Sequence, residues 1–219
     1  MNSMELLVVI SEMFGQNTFI ASLPGRDDCI VVDPGLQPDD IVAAMAEHKL
    51  NPAMILVTHG HADHIGGLPA LKQLWPDCPV VIGEGDAGKL TDAVANLSAN
   101  YGMPLICAPA DRLVAQGDIV EAAGLEFEVR ETPGHSAGHV VFVGRQTDPI
   151  TVFGGDVLFQ GSVGRVDFPD GNFEQLELSI TNQLFTLPDE TVVLPGHGPA
   201  TTVGQERQFN PFVGQNRLA

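Results

Sequence analysis

The sequence predicts an α/β protein built as a sandwich of sheets with one functional cleft at the strand ends. Three observations predict it. Apolar runs of strand length recur along the 219 residues and alternate with helical patterns. Several of these runs end at a Gly- or Pro-bearing turn that delivers a histidine or an aspartate. Five of the seven histidines fall in three such turns, as if distant segments fold back onto one centre.

Taken in order, Cys29 lies in an early strand run, and the spacing predicts a helix from Asp39 to Lys49 with His48 on the surface at its end. Ala53 to Thr58 reads as a buried strand that stops at His59. The stretch His59-Gly60-His61-Ala62-Asp63-His64 follows. Gly60 frees the backbone, so His59 and His61 can aim at one metal from a tight turn. Asp63 reads as an N-cap or first-turn residue, and Ile65, Leu68, Leu71, Leu74 and Trp75 continue as one amphipathic helix. One strand end thus offers two ligand pairs, His59/His61 and Asp63/His64, for two adjacent cations. Gly66-Gly67 is costly in a helix unless backbone passes close by.

Glu126 to Thr132 alternates as a half-exposed strand and ends in Pro133-Gly134-His135. Gly138 to Val143 opens the next strand. His135 and His139 compete for a ligand role, and the tight turn favours His135, with His139 left to packing or hydrogen bonding. Ile150 to Phe153 is a strand whose Gly154-Gly155 turn delivers Asp156. Thr191 to Leu194 delivers His197 through Pro195-Gly196. No H-E-x-x-H pattern is present, and Cys29, Cys78 and Cys107 are too scattered for a cysteine zinc site.

These motifs together resemble a metallo-β-lactamase-fold hydrolase over almost the whole chain. H-x-H-x-D-H, T-P-G-H, G-D and P-G-H-G stand in that family's order and spacing. The resemblance implies an αββα four-layer sandwich, two mixed sheets with helices on the outer faces. It implies one metal on His59, His61 and His135, a second on Asp63, His64 and His197, and Asp156 bridging them. Zinc is the expected ion, with iron or manganese as alternatives, since these nitrogen and oxygen ligands suit all three.

Gly155 to Phe159, Gly161 to Asp167 and the ending from Pro195 to Thr202 resemble short members of the glyoxalase II-like, or hydroxyacylglutathione hydrolase-like, subgroup. Arg165 reads either as a substrate-binding group or as the partner of Asp167 in an internal ion pair. Only Thr201 to Ala219 follows the last motif, so residues 1–219 are expected to form one hydrolase domain without the helical C-terminal region that holds glutathione.

The formal charge of −18, with Lys49, Lys72 and Lys89 the only lysines, disfavours nucleic acid as a partner. The longest apolar runs are strand-sized, and the N-terminus does not read as a secretion signal, so neither membrane nor export is expected. Three isolated cysteines fit a reducing cytoplasm. A monomer or homodimer is expected.

Two cations about 3.5–4 Å apart acidify a shared water towards ~7, and the hydroxide attacks a polarised carbonyl. Asp63 and Asp156 are the carboxylates placed to hold or orient it. A thiol of pKa near ~8.5 departs as thiolate without a general acid, and these motifs hold no obvious acid. A small-molecule thioester is therefore the expected substrate. The first alternative is a mononuclear iron persulfide dioxygenase using His59, His61 or His135 and Asp156, and the next is a lactone hydrolase. A non-catalytic metal-binding protein is the reading from another class.

Overall fold

The structure is a computed structural model and describes residues 4–216. The first sheet has six strands in chain order: β1 (Glu5–Ile10), β2 (Asn17–Ser22), β3 (Asp28–Val32), β4 (Asn51–Val57), β5 (Val80–Gly83) and β6 (Arg112–Val114). β1 to β3 pair antiparallel, and β3 to β6 pair parallel. The second half contributes β7 (Ile119–Ala122), β8 (Leu125–Glu131), β9 (Val140–Gly144), β10 (Thr151–Gly155), a small hairpin of β11 (Leu158–Phe159) and β12 (Ser162–Val163), then β13 (Val192–Pro195) and β14 (Thr201–Thr202). Its six-stranded sheet is ordered β14-β13-β10-β9-β8-β7, parallel only between β10 and β13.

Three apolar layers hold these sheets in a four-layer sandwich, as expected. Between the sheets, Phe19, Ile30, Val32 and Leu56 meet Phe127, Val129, Phe142 and Phe153. Outside the first sheet, Ile20, Val31, Ile55 and Val57 pack on Ile41 and Met45 of α1 (Pro38–Glu47), on Ile65 of α2 (Ala62–Ile65), and on Leu68 and Leu71 of α3 (Leu68–Leu74). Outside the second sheet, Val141, Val143, Val152 and Val193 pack on Leu176 of α4 (Phe173–Ser179) and Val203 of α5 (Val203–Phe209). Central strands are buried on both faces, which is why they read as unbroken apolar runs rather than alternating ones. Each fully buried aliphatic or aromatic side chain contributes roughly 1.5–3 kcal/mol.

β8, β10 and β13 run in the same direction, so their C-terminal ends lie at one edge of the second sheet. The first sheet joins that edge where Val140 N–H donates to the Thr58 carbonyl at 2.9 Å. The strand ends that carry the histidine and aspartate motifs are thereby stitched together.

One expectation needs correction. The helix read through Ile65 to Trp75 is two helices, α2 and α3, broken at Gly66-Gly67. The loop Pro34–Leu36 lies against the break. A Cβ on Gly66 would collide with Leu36, and one on Gly67 would sit 2.8 Å from the Gly35 carbonyl. Gly67 N–H instead donates to Pro34 O at 2.8 Å. The close approach of backbone, anticipated from the double glycine, ends the helix rather than passing beside it. α1 begins one residue earlier and ends two residues earlier than the spacing predicts, with His48 at its C-cap. Among the described residues no helix is long and apolar enough to cross a membrane.

Candidate metal centre

The structure brings all seven residues of the candidate ligand set to one place. Ligand atoms of His59, His61 and His135 lie within 4.8 Å of one another, as do those of Asp63, His64 and His197. His59, His64 and Asp156 form a third such group linking the two. His61 Nδ1 and His135 Nε2 are 2.9 Å apart. Asp156 lies between the halves: Oδ1 is 3.3 Å from His64 Nε2, and Oδ2 is 3.6 Å from His135 Nε2 and 3.5 Å from His197 Nε2. Asp63 Oδ2 is 3.2 Å from His197 Nε2 and 3.8 Å from His64 Nε2.

The surroundings turn the imidazoles inward. His135 Nδ1 donates to the Arg165 carbonyl at 2.8 Å, and His197 Nδ1 to the Phe14 carbonyl at 3.1 Å. A carbonyl can only accept, so these rings carry a proton on Nδ1 and present Nε2 to the centre. His64 Nδ1 is held at 2.9 Å by Asp33 Oδ2, and His59 Nδ1 contacts Thr58 Oγ1 at 3.1 Å. Nε2 of His59, Nε2 of His64 and Oδ1 of Asp156 are buried without a hydrogen-bond partner. Buried polar atoms are nearly always paired, so converging orphans on imidazole and carboxylate fit divalent cations.

Electrostatics divide the centre. Burial, reinforced by the neighbouring imidazoles, pushes His59 well below its ordinary pKa. Burial with His135 and Lys89 brings His61 down to about 3. Burial also lowers His135. These three are neutral donors, the form a metal requires. In the other half the shifts favour the charged forms. Burial opposes charge there, yet Asp156, Asp63 and Asp33 raise His64 well above its ordinary value. Burial is likewise overcome at His197, raised by its hydrogen bond to Asp63 and by Asp156. Against burial, His64 and its neighbours hold Asp156 below the usual carboxylate range, and His64 and His197 do the same for Asp63. A cation in this half would take the place of those protons.

The competing histidine is explained by its contacts. His139 is fully buried, stacks on His59 at 4.9 Å, meets Thr132 Oγ1 through Nδ1 at 2.9 Å, and accepts the Asp156 N–H through Nε2 at 3.1 Å. Both ring nitrogens are occupied. Asp156 arrives from Gly155, whose φ of +48° suits glycine, and a Cβ there would lie 2.7 Å from His139 Nε2. Arg165 forms the internal ion pair of its second reading. It pairs bidentately with Asp167 at 3.0 Å, lies over the Phe168 ring at 4.6 Å, and lines the cavity beside the centre. That cavity, of about 240 Å³, is lined by Phe14, Tyr101, Phe159 and Phe168 besides residues of the centre itself.

Two buried aspartates escaped the sequence reading. Asp33 accepts from Thr58 N–H and Oγ1, both at 2.7 Å, besides holding His64. Its signal was present, because it too follows a strand run and precedes Pro34-Gly35. Asp86 accepts from Gly60 N–H, Ser136 Oγ and Gly138 N–H, each at 2.8 Å, and nothing local in the sequence marks it. The cysteines take no part: Cys29, Cys78 and Cys107 are buried, and burial raises their thiols to about 12, about 11 and about 11.

Comparison with known proteins agrees with this geometry. The Metallo-beta-lactamase superfamily profile matches residues 12–197. The probable metallo-hydrolase YqgX of Bacillus subtilis is 40% identical over 188 residues, 85% of this chain and 88% of that protein. The hydroxyacylglutathione hydrolase GloC of Haemophilus influenzae is 36% identical over 191 residues, 84% of this chain and 86% of its own. Among solved structures, the BLEG-1 B3 metallo-beta-lactamase superposes with a TM-score of 0.89 at 33% identity, covering 96% of this chain and 99% of the other. TTHA1623, solved in a di-iron-bound form, gives 0.81 at 34% identity, covering 94% and 99%.

Proposed function

The chain belongs to the metallo-beta-lactamase superfamily and is a metallo-hydrolase, and from that premise we propose that it cleaves thioesters of the hydroxyacyl-glutathione type at a pair of divalent cations. One metal is assigned to His59, His61 and His135, the other to Asp63, His64 and His197, with Asp156 shared. The observation that carries this reading is the position of Asp156, within 3.6 Å of an imidazole nitrogen from each half. Zinc is the first choice, and the di-iron form of TTHA1623 makes iron the competing one.

When bound, the cations supply an acidified water and an electrophile for the carbonyl oxygen. The chain's own groups do the rest. Asp156 and Asp63 stay ionised at neutral pH, so both present acceptor oxygens to a water. Neither is then a proton donor to a leaving group. A thiolate departs without one, whereas an amine or alkoxide does not. Phe14, Tyr101, Phe159 and Phe168 offer the substrate an apolar surface beside the centre. Similarity to GloC supports the hydroxyacyl-glutathione class. Similarity to BLEG-1 makes a β-lactam the competing substrate.

The test is thiol release from S-lactoylglutathione beside hydrolysis of a chromogenic β-lactam, with zinc- and iron-loaded protein. The reading requires efficient thioester cleavage abolished by chelation. Turnover of the β-lactam alone overturns it.

A further inference from the structure

Asp86, Lys89 and Asp170 form an ionic triad, buried at Asp86 and Lys89 and part-exposed at Asp170, that none of the assigned roles uses. Asp86 is 0% exposed and Lys89 8%. Lys89 Nζ is 3.2 Å from Asp86 Oδ1 and 2.7 Å from Asp170 Oδ2. Each acidic member also grips backbone beside a candidate ligand. Asp86 Oδ2 takes the N–H of Gly60, between His59 and His61, and the hydroxyl of Ser136, next to His135. Asp86 Oδ1 takes the N–H of Gly138. Asp170 Oδ2 takes the N–H of Ala137 at 3.0 Å. Asp170 stands two residues after Phe168, whose ring lies 5.0 Å from that of His61 and 5.6 Å from that of His135.

Among the described residues, no side-chain bond of the triad goes to a ligand of the other half. That half has its own supports, of which Asp33 also reaches His59 through Thr58. Asp33 fixes His64. Asn17 fixes the His197 turn through the carbonyls of Pro195 and Gly198, at 3.0 and 2.8 Å.

We infer that Asp86, supported by Lys89 and Asp170, is the positioning residue of the three-histidine half of the centre and sets its metal affinity independently of the other half. The inference rests on the two-metal assignment above. Three imidazoles from two loops bind tightly only if the loops are held at a fixed separation, and a shared carboxylate is the group that spans them. Loss of such supporting hydrogen bonds typically weakens metal binding by about 10–100-fold. Loss of a triad that merely stabilised the fold would weaken both halves alike.

The test is zinc affinity, by competition with a chromophoric chelator, in two single-site backgrounds. His197→Ala leaves the three-histidine half, and His61→Ala leaves the other. Asp86→Asn should weaken zinc at least about tenfold in the first background and less than about twofold in the second. Ser136→Ala removes one of the hydrogen bonds without touching a ligand. It should give a smaller loss in the first background alone, and it carries the test if Asp86→Asn does not fold. Equal losses in both backgrounds, or none in the first, overturn the inference. If neither parent background binds zinc, the two-metal assignment has failed and the inference falls with it.

Discussion

Replacing Asp33 by alanine separates support of the centre from chemistry at it. The carboxylate is 2% exposed and accepts three hydrogen bonds, two from Thr58 at 2.7 Å and one from His64 at 2.9 Å. Alanine would strand three buried donors, each costing about 1–3 kcal/mol when left unpaired. Partial re-pairing, with the Thr58 hydroxyl turning to another acceptor, brings the expected total to about 4 kcal/mol. For a domain of this size each kcal/mol lowers Tm by roughly 2–4 °C, so the metal-free protein should melt about 8–16 °C earlier. His64 would also lose the bond that orients its ring, and zinc at the Asp63/His64/His197 half should weaken by about 10–100-fold. The assays are calorimetric melting of metal-free protein and chelator competition for zinc. A Tm within about 3 °C of the parent, together with unchanged affinity, would refute the reasoning that Asp33 holds these groups in place.

Three further outcomes follow from the same geometry. Asp156→Ala, which removes the carboxylate between the two halves, should cost at least about 10³-fold in kcat/KM. His139→Ala should cost about 10–100-fold with both metals retained; the opposite order would mean that His139 is the ligand. Iodoacetamide should label Cys78 and Cys107 about 100-fold more slowly than a free thiol at pH 8, because a thiol raised from 9.0 to about 11 forms thiolate only at higher pH. Labelling at free-thiol rates by mass spectrometry would contradict their burial. Preference for S-lactoylglutathione over thioesters of small uncharged thiols should stay below about a hundredfold, ~2.7 kcal/mol. Arg165, the cation lining the cavity, is already paired with Asp167; a larger preference in competition assays would show a recognition site for the tripeptide that this pairing does not provide.

The metal motifs were legible because each stands where a strand ends, and strand ends show in sequence as apolar runs stopping at Gly or Pro. The choice of His135 over His139 rested on turn position alone, and the structure places both ring nitrogens of His139 in hydrogen bonds. The break at Gly66-Gly67 was half legible. The glycines signalled close contact, but the contacting loop is 30 residues earlier in sequence, and only the fold brings it there. Asp86 was illegible for a similar reason. Its partners Gly60, Ser136 and Gly138 come from two other loops. The cavity wall escaped notice because Phe14, Tyr101, Phe159 and Phe168 share no sequence pattern.

The two-metal thioesterase reading is tested most directly by titrating metal-free protein with zinc while following thiol release from S-lactoylglutathione. Activity should stay low up to one zinc per chain, rise steeply between one and two, and then saturate. Full activity at one metal per chain, or no thiol release at any loading with zinc or iron, would contradict it.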